Sequence, residues 1–426
     1  MSKTPATRAR AARPIAVRRA GSVSSATIAF ASASGSRGGT RRPLSPSATI
    51  STGPPSRGAI TGRPVAIASS STRPNGSRFD AWKRAFIDLC RREQFDLVIP
   101  TNDPTLIPLQ EHRRDVEPHA KIYLLNDRAF EVGYDKQKSY EVCNAVGVHV
   151  PKVRTFPIPC APADVLREFR LPVVVKARSS FRAEDLGDRR RTRVARDEAG
   201  LAQWLDLLKG RADDVLIEEY FEGDGGGIDV LCADGEVVHA FQHLRLHEGR
   251  GYSSAPYRVS APVHQGMLEE TRKYVRALDY TGVLMLEFRL NAATGTWIFH
   301  DFNARFWAAL PLTVAAGADY PYWLYQVLVD GKRDFPPAFR TGIACRNWRL
   351  DLLWLKENLG LPRGERTPAR EVARELWRAV TFREWMDTLT FDDPMPGLVD
   401  VSRILGRVGR NVGRLGRLGS RSEATT

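Results

Sequence analysis

Several short motifs that mark common protein classes are missing from this 426-residue chain. No GxxxxGK[ST] run occurs, which argues against a P-loop nucleotide site. No apolar stretch comes near the roughly 18 residues that a membrane helix needs, and no signal-peptide core is present, so neither membrane spanning nor secretion is indicated. The five cysteines are odd in number and contain no CxxC pair, which favours a reducing compartment.

Acidic residues are scarce at both ends of the chain. Up to Phe79 there are thirteen Lys and Arg and no Asp or Glu, and from Ser402 onward six Arg face only Glu423. The formal charge of +14 therefore arises at the ends, and residues 80–401 carry about −4. With no nucleic-acid motif in the body, we expect no specific nucleic-acid partner, although the basic tails are suited to anionic surfaces.

Composition separates the two tails from the body. Residues 1–59 are rich in Arg, Ser and Ala with few large apolar side chains, which predicts a disordered segment. The lack of acids in this segment resembles the composition of an organelle transit peptide. The alternative is upstream sequence that does not belong to the mature protein. We expect a soluble cytoplasmic body, with an organelle as the alternative. Residues 402–426 form a basic Arg/Gly tail whose glycines disfavour a stable helix.

The most informative segment is a predicted antiparallel hairpin near the middle of the chain. Two alternating apolar runs, 282–289 and 297–305, flank a turn near Thr294 and Gly295. In that register Glu287 faces Asp301, and Asn303 points to the same side. Two such carboxylates would repel by roughly 4 kcal/mol, a cost that a bound cation would remove. The alternative is a pair of surface acids on opposite strands.

Carboxylate and amide oxygens are hard ligands that suit Mg²⁺ (or Mn²⁺) better than zinc. We therefore predict Glu287, Asp301 and Asn303 as metal ligands. The pattern resembles the metal-binding end of the ATP-grasp ligases, whose second metal strand commonly reads Glu-x-Asn-x-Arg. Asp301 stands where Glu is usual, so the number of bound ions, one or two, stays open. The resemblance implies that Arg305 stabilises the transferring group.

Other elements of the resemblance follow in family order. Lys136 opens a predicted helix that ends near Gly147, and Lys176 ends an apolar strand, 171–177, at the rim of a cleft. A lysine in that position places a point charge where phosphates bind. The resemblance implies that both lysines contact the phosphates of ATP; a solvated lysine is the alternative for each.

The segment from Val215 to Gly223 resembles the family's adenine-recognition strand. The match implies that Glu218 accepts from the adenine amino group and that Glu219 and Phe221 offer backbone contacts. The resemblance places the ribose-binding acid near Asp224 or Asp229, and Asp229 fits the following strand better. The intervening glycine run, 224–227, lacks a dinucleotide-fold context, so we predict a permissive turn there.

Substrate-binding residues are predicted at two places. Asn102 follows a buried parallel strand, where open α/β sheets bind ligands, with a helix N-cap as the equally good alternative. Arg245 and Arg258 flank a Gly- and Ser-rich loop where related ligases cover the acceptor, and they are candidates to clamp an anion. Solvated arginines are the competing interpretation.

The predicted architecture is α/β with an α+β lid. It comprises a partial Rossmann-like domain (60–133), an ATP-grasp domain (134–335) with its lid at about 151–220, and a helical extension (336–401). The preceding domain lacks a convincing first strand and glycine turn. Helices are predicted over 81–93, 307–317, 321–329, 348–359 and 369–388.

The resemblance implies an ADP-forming, Mg²⁺-dependent ligase that activates a carboxylate (or carbamate) as an acyl phosphate for attack by an amine. It looks most like carbamoyl-phosphate-synthase-like proteins, and the acid, the amine and the oligomeric state stay open. Two alternatives remain. One is a catalytically impaired ATP-binding module, suggested by Asp301 and by an arginine-crowded lid loop, 179–196, whose only glycine is Gly187. The other is a polyanion- or membrane-tethered protein with a vestigial ATP site.

Overall fold

The computed structural model describes residues 49–50, 66–68, 77–181, 186, 189–249, 255–381, 383–389 and 394–402. The predicted disordered segment lies almost wholly outside these residues, as does the basic tail beyond Ser402. The strands of the described part are β1 (Thr49–Ile50), β2 (Ala66–Ala68), β3 (Val98–Pro100), β4 (Val153–Pro157), β5 (Val173–Ala177), β6 (Arg193–Ala195), β7 (Asp214–Glu219), β8 (Asp224–Ala233), β9 (Glu236–His247), β10 (Tyr257–Ala261), β11 (Gly282–Asn291), β12 (Thr296–Asn303), β13 (Ala344–Arg346) and β14 (Trp385–Met386).

The α-helices connect and cover these strands. They are α1 (Ser77–Glu93), α2 (Asp103–Glu111), α3 (Arg113–Val116), α4 (Asp127–Tyr134), α5 (Lys136–Val146), α6 (Pro162–Leu166), α7 (Glu198–Leu208), α8 (Gln265–Ala277), α9 (Leu310–Ala316), α10 (Tyr320–Leu328), α11 (Trp348–Leu359) and α12 (Ala369–Val380). Within the described ranges, no helix has the length and apolar character needed to cross a membrane.

The first sheet is small and only partly resembles a Rossmann domain. Its order is β1-β2-β3, with β2 and β3 parallel and β1 antiparallel to β2. The predicted helix before β3 is present as α1. A single parallel bridge joins Ile122 to Val98.

The lid is a four-stranded antiparallel sheet with the order β4-β7-β5-β6. Because side chains alternate along a strand, β5 turns Val173, Val175 and Ala177 toward the core beneath α6 and α7. Its fourth residue, Lys176, points to the opposite face. Glu218 of β7 lies opposite Val174 and points to that same face. The lid thus presents its two predicted nucleotide ligands together.

The main sheet has the order β12-β11-β8-β9-β10-β13-β14. Helices α8, α9 and α10 pack against it around the largest hydrophobic core of the described residues. The two helices after the hairpin begin at Leu310 and Tyr320, close to their predicted positions. The predicted hairpin forms the β11–β12 end of this sheet, and its turn ends at Gly295, whose φ is +70°.

The described part of the C-terminal extension includes helices α11 and α12 and the short strands β13 and β14. Helix α11 spans the predicted 348–359, but α12 ends at Val380 rather than near residue 388. Beyond this helix, β14 pairs in parallel with β13, opposing Trp385 to Cys345. The extension is therefore joined to the edge of the main sheet.

Candidate functional site

The hairpin brings the three predicted metal ligands together in the predicted register. Glu287 pairs with Asp301, and Asn303 pairs with Met285 one step along the same face. The amide Nδ2 of Asn303 donates to Oε1 of Glu287 at 3.1 Å. A β-bulge follows Glu287, where two residues of one strand oppose one of the other. Two carboxylates and one amide oxygen thus share one rim of the sheet.

Two protein cations compensate the charge of the facing carboxylates. Lys136 Nζ lies 2.7 Å from Oδ1 of Asp301, and Arg245 Nη2 lies 2.6 Å from Oε2 of Glu287. Burial alone would raise the pKa of Asp301, but Lys136 and Lys176 outweigh it and the net pKa is lowered. Asp301 is therefore held in the ionised form that a metal ion requires.

Helix α5 is fixed so that Lys136 reaches this rim. Asp135 caps the helix by accepting from the amides of Gln137 and Lys138 at 3.0 and 3.3 Å. The same carboxylate binds Arg178, whose Nη2 is 2.7 Å away, and Arg178 accepts from the amide of Lys136 through its carbonyl. These contacts tie the start of α5 to the end of β5, which carries Lys176.

Lys176 lies in a buried polar cluster. Its ammonium is 2.9 Å from Oε1 of Glu218 and donates to the carbonyl of His300 at 2.7 Å. Tyr140 donates to the same Glu218 oxygen at 2.6 Å. The side chains of Lys176 and Glu218 are 1% and 2% exposed. The predicted phosphate ligand and the predicted adenine ligand are therefore bound to each other in this structure.

Two residues of that cluster were not predicted. Tyr140 follows Lys136 by one helical turn, a spacing that could have suggested a shared face. His300 precedes Asp301, and burial together with Lys176 holds the pKa of its imidazole well below the ordinary value. A neutral His300 adds no further positive charge beside Lys176.

The remaining adenine contacts have a mixed outcome. Glu219 ends β7 with an exposed side chain, and Phe221 follows the strand in a half-buried position. The amide of Glu219 already donates to the carbonyl of Lys152 at 2.9 Å. The backbone amide of Glu219 is therefore not free to contact an adenine ring.

Asp229, the predicted ribose ligand, lies inside the main sheet. Its side chain is fully buried, and Oδ2 lies 2.9 Å from Nδ1 of His243. Its carbonyl accepts from the hydroxyl of Tyr320 at 2.8 Å. Burial raises the pKa of Asp229, against the opposing effect of His243. The Asp229 carboxylate is therefore directed toward His243.

The glycine run 224–227 is the beginning of strand β8 rather than a turn. A Cβ on Gly225 would lie 2.6 Å from Cδ of Arg245, and one on Gly227 would lie 2.5 Å from Cε1 of His243. Because Gly225 and Gly227 have no side chains, Arg245 and His243 of β9 have room to extend across β8. Arg245 can therefore reach Glu287 on the far side of β8.

Arg245 belongs to a larger network that sequence reasoning did not find. Its Nη1 lies 2.6 Å from Glu248, which also binds Arg289, and Arg289 in turn donates to the carbonyl of Gly223. The two arginines of this network are balanced in charge by Glu248 and Glu287. Arg289 alternates with Glu287 along β11, which was the available signal for its position.

Arg258, by contrast, is not available as a substrate clamp. It is 2% exposed, binds Asp387 through Nη2, and donates from Nη1 to the carbonyl of Ala308 at 2.8 Å. The predicted acceptor loop between Arg245 and Arg258 includes residues 250–254, which lie outside the described residues.

Arg305 is directed by the N-terminal domain. Its Nε donates to Oδ1 of Asp103 at 2.7 Å, and the hydroxyl of Tyr134 donates to the same oxygen at 2.9 Å. Asn102 is the N-cap of α2, accepting from the amide of Thr105 at 3.1 Å. The residue that meets the active-site candidate Arg305 is thus Asp103, one position beyond the predicted Asn102.

The donor set of the hairpin suits a hard divalent cation. Its oxygens come from two carboxylates and one amide, and the two carboxylates already attract protein cations. In the part of the chain that the structure describes, no group of three His, Cys, Asp or Glu is placed to hold a metal ion. The three predicted ligands together with substrate phosphates would complete such a site.

A family model matches part of the chain. Residues 211–349 match the family model described as "ATP-grasp in the biosynthetic pathway with Ter operon", about a third of the chain. A comparison with curated proteins finds no match. The matched segment contains the hairpin, β8 and β9. The predicted ATP-grasp fold, with its α/β body and α+β lid, is confirmed, and so is the recognition of this segment as ATP-grasp.

Solved structures of low identity resemble the chain. An L-amino acid ligase from Bacillus licheniformis is 17% identical with a TM-score of 0.46, covering 59% of this chain and 60% of that one. A biotin carboxylase complex from Campylobacter jejuni is 18% identical with a TM-score of 0.49, covering 64% and 63%. The chain thus spans less than two thirds of the length of these structures.

Proposed function

We propose that this protein is an ATP- and Mg²⁺-dependent ligase that activates a carboxylate, or carbamate, for attack by an amine. The observation that carries the proposal is the shared rim of Glu287, Asp301 and Asn303, with Lys136 and Arg245 beside it. These carboxylates and cationic side chains lie within hydrogen-bonding distance of one another. Such an arrangement suits the binding of a triphosphate together with its metal ion. The ATP-grasp match supports the choice of nucleotide.

Each group has a role that its position supports. Glu287, Asp301 and Asn303 would hold Mg²⁺, which would supply charge stabilisation at the phosphate oxygens. Lys136 and Lys176 would bind phosphate oxygens once they exchange their carboxylate partners for the nucleotide. Arg305, positioned by its ion pair with Asp103, would stabilise the transferring phosphoryl group. No side chain needs to act as a covalent nucleophile.

The reaction would form and break bonds in two steps. A carboxylate oxygen attacks the γ-phosphorus, and the bond to the β-bridging oxygen breaks to release ADP. The amine nitrogen then attacks the acyl carbon, phosphate leaves, and the nitrogen loses a proton. Burial strengthens every charge interaction in this sequence.

The test is ATP turnover against pooled carboxylic acids and amines, with Mg²⁺ present or absent. We expect ADP and phosphate to appear only with a particular acid and amine. Asp301→Asn should lower that turnover by about a hundredfold, because several kcal/mol of charge stabilisation is lost. The exposed Asp127→Asn is the matched control and should leave turnover unchanged. AMP as the product would contradict the acyl-phosphate route.

One observation favours a second candidate, a catalytically impaired ATP-binding module. Lys176 and Glu218 are buried against each other, so nucleotide binding must first separate them. If that separation costs more than ATP returns, turnover is lost while weak binding remains. ATP binding by calorimetry, without turnover in any pool, would favour this module over the ligase.

A further inference from the structure

A carboxylate of the protein itself lies in a notch beside the predicted metal ligands. Strand β8 has no side chain at Gly225, where a Cβ would lie 2.7 Å from Oε1 of Glu248 and 3.2 Å from Nε of Arg245. Across the sheet, Gly225 is paired with Arg289 of β11. The Glu248 carboxylate therefore lies over Gly225, between the two arginines. We call the space bounded by Gly225, Arg245 and Arg289 the Gly225 notch.

The charges around the notch select a carboxylate. Oε1 of Glu248 accepts from Nη1 of Arg245 at 2.6 Å, and Oε2 accepts from Nη1 of Arg289. Both arginine side chains are only 7% exposed. Two buried guanidinium groups that each hold one oxygen of the same carboxylate form strong, charge-assisted hydrogen bonds with defined geometry. The notch is therefore a preformed binding site for a planar carboxylate.

Arg245 joins the notch to the predicted metal ligands. Its Nη1 holds Glu248, and its Nη2 lies 2.6 Å from Oε2 of Glu287. Because one guanidinium spans both contacts, a carboxylate in the notch lies beside the side chain that would bind Mg²⁺. Nε of Arg245 is buried and has no hydrogen-bond partner in the described part of the chain. Glu248 thus leaves one donor of the notch unsatisfied, which a differently placed carboxylate could use.

We propose that the Gly225 notch binds the carboxylate substrate and that Glu248 occupies it as an internal stand-in until the substrate displaces it. The inference rests on the proposed ligase function, and it assigns Arg289 as the partner of Arg245 in place of Arg258. The exchange replaces one carboxylate by another, so the charge balance of the notch is kept. The Glu248 side chain is 19% exposed, which allows it to turn out to solvent. The apparent affinity for the acid is then reduced by the fraction of time that Glu248 fills the notch.

The first experiment uses acetate as the probe, so it does not require the natural acid. Thermal unfolding of the full-length protein is followed in sodium acetate and in sodium chloride of equal ionic strength. We expect acetate to raise the unfolding midpoint of Glu248→Gln more than that of the wild type, because the notch of the variant lacks its own carboxylate. Glu236→Gln removes a surface carboxylate that binds Arg276, and this matched control should respond as the wild type does.

Two further variants keep the acetate experiment decisive. Glu248→Asp retains the charge but is one methylene shorter, so it should show a smaller gain of the same sign even where Glu248→Gln does not fold. Arg289→Met, added to Glu248→Gln, should abolish the acetate effect. The proposal is overturned when that effect survives Arg289→Met, or when it is no larger in the Glu248 variants than in Glu236→Gln.

Turnover tests the same notch during the reaction. For the acid that supports ADP formation, Glu248→Gln should lower KM by about tenfold while the KM for ATP stays unchanged. An acid KM that is unchanged or raised in this variant would contradict the role of Glu248 as a stand-in. A wild type without any acid-dependent ADP formation would refute the ligase assignment, whereas the acetate experiment would still decide whether the notch binds a carboxylate.

Discussion

At the residue scale, removing either member of the buried Lys176–Glu218 ion pair should destabilise the folded protein. Lys176→Met would leave an uncompensated carboxylate beside Tyr140, so we expect a loss of about 3–5 kcal/mol in the free energy of unfolding. Lys176→Met combined with Glu218→Gln should recover much of it, because no buried charge remains. Chemical denaturation of the wild type, both single variants and the double variant measures this coupling. Additive single effects would show that the two side chains do not interact.

Asp103 provides a second residue-scale prediction. Asp103→Asn keeps the side-chain shape but removes the charge that holds Arg305, whose Nε is 2.7 Å away. We expect acceptor-dependent turnover to fall by about tenfold or more through misplaced Arg305, with ATP affinity unchanged. The neighbouring Asn102→Asp retains an N-cap and serves as the matched control. An equal loss in ATP affinity would indicate that Asp103 supports the nucleotide site instead.

At the element scale, the side chain of His243 packs across strand β8 at Gly227, where any larger residue would collide with it. Gly227→Ala would place a Cβ 2.5 Å from Cε1 of His243, pushing that ring away from Asp229. We expect a destabilisation of about 1–3 kcal/mol, measured by chemical denaturation. Gly360→Ala, at a helix end where the nearest atom is 3.4 Å away, is the control and should be nearly neutral. Equal stability of the two variants would mean that His243 has free space to move.

The elements differ in how well sequence predicts them. Hairpin β11–β12 was predictable down to the pairing of Glu287 with Asp301, because strict alternation and one turn determine its register. The glycine run at the start of β8 was not predictable. Glycines that make room for a side chain of the neighbouring strand have the same sequence pattern as a turn. Arg258 was a candidate to clamp an anion, with a solvated arginine as the alternative, because its partner Asp387, 129 residues away, is not visible from local sequence. Contacts of that kind depend on topology, which local pattern does not specify.

At the scale of the whole molecule, buried ion pairs join the extension to the strand that carries Arg245. His247, two residues further along β9, lies 2.6 Å from Asp351 of α11 and 2.7 Å from Glu375 of α12. Its ring also stacks on Trp354, with ring centroids 3.4 Å apart. Such a network couples the position of the extension to the strand that carries Arg245.

This link should depend on pH through His247. Burial lowers the pKa of His247, but Asp351 and Glu375 outweigh it, so the folded pKa lies above the ordinary 6.5. A raised folded pKa means that the stabilisation is fully present below 6.5 and is lost as pH rises through the folded value. We therefore expect protease cleavage within the extension to accelerate as the solution is made alkaline. His247→Gln should remove that pH dependence, whereas His119→Gln, on the surface near Arg91, should retain it. Cleavage that accelerates equally in His247→Gln would assign the pH response to another group.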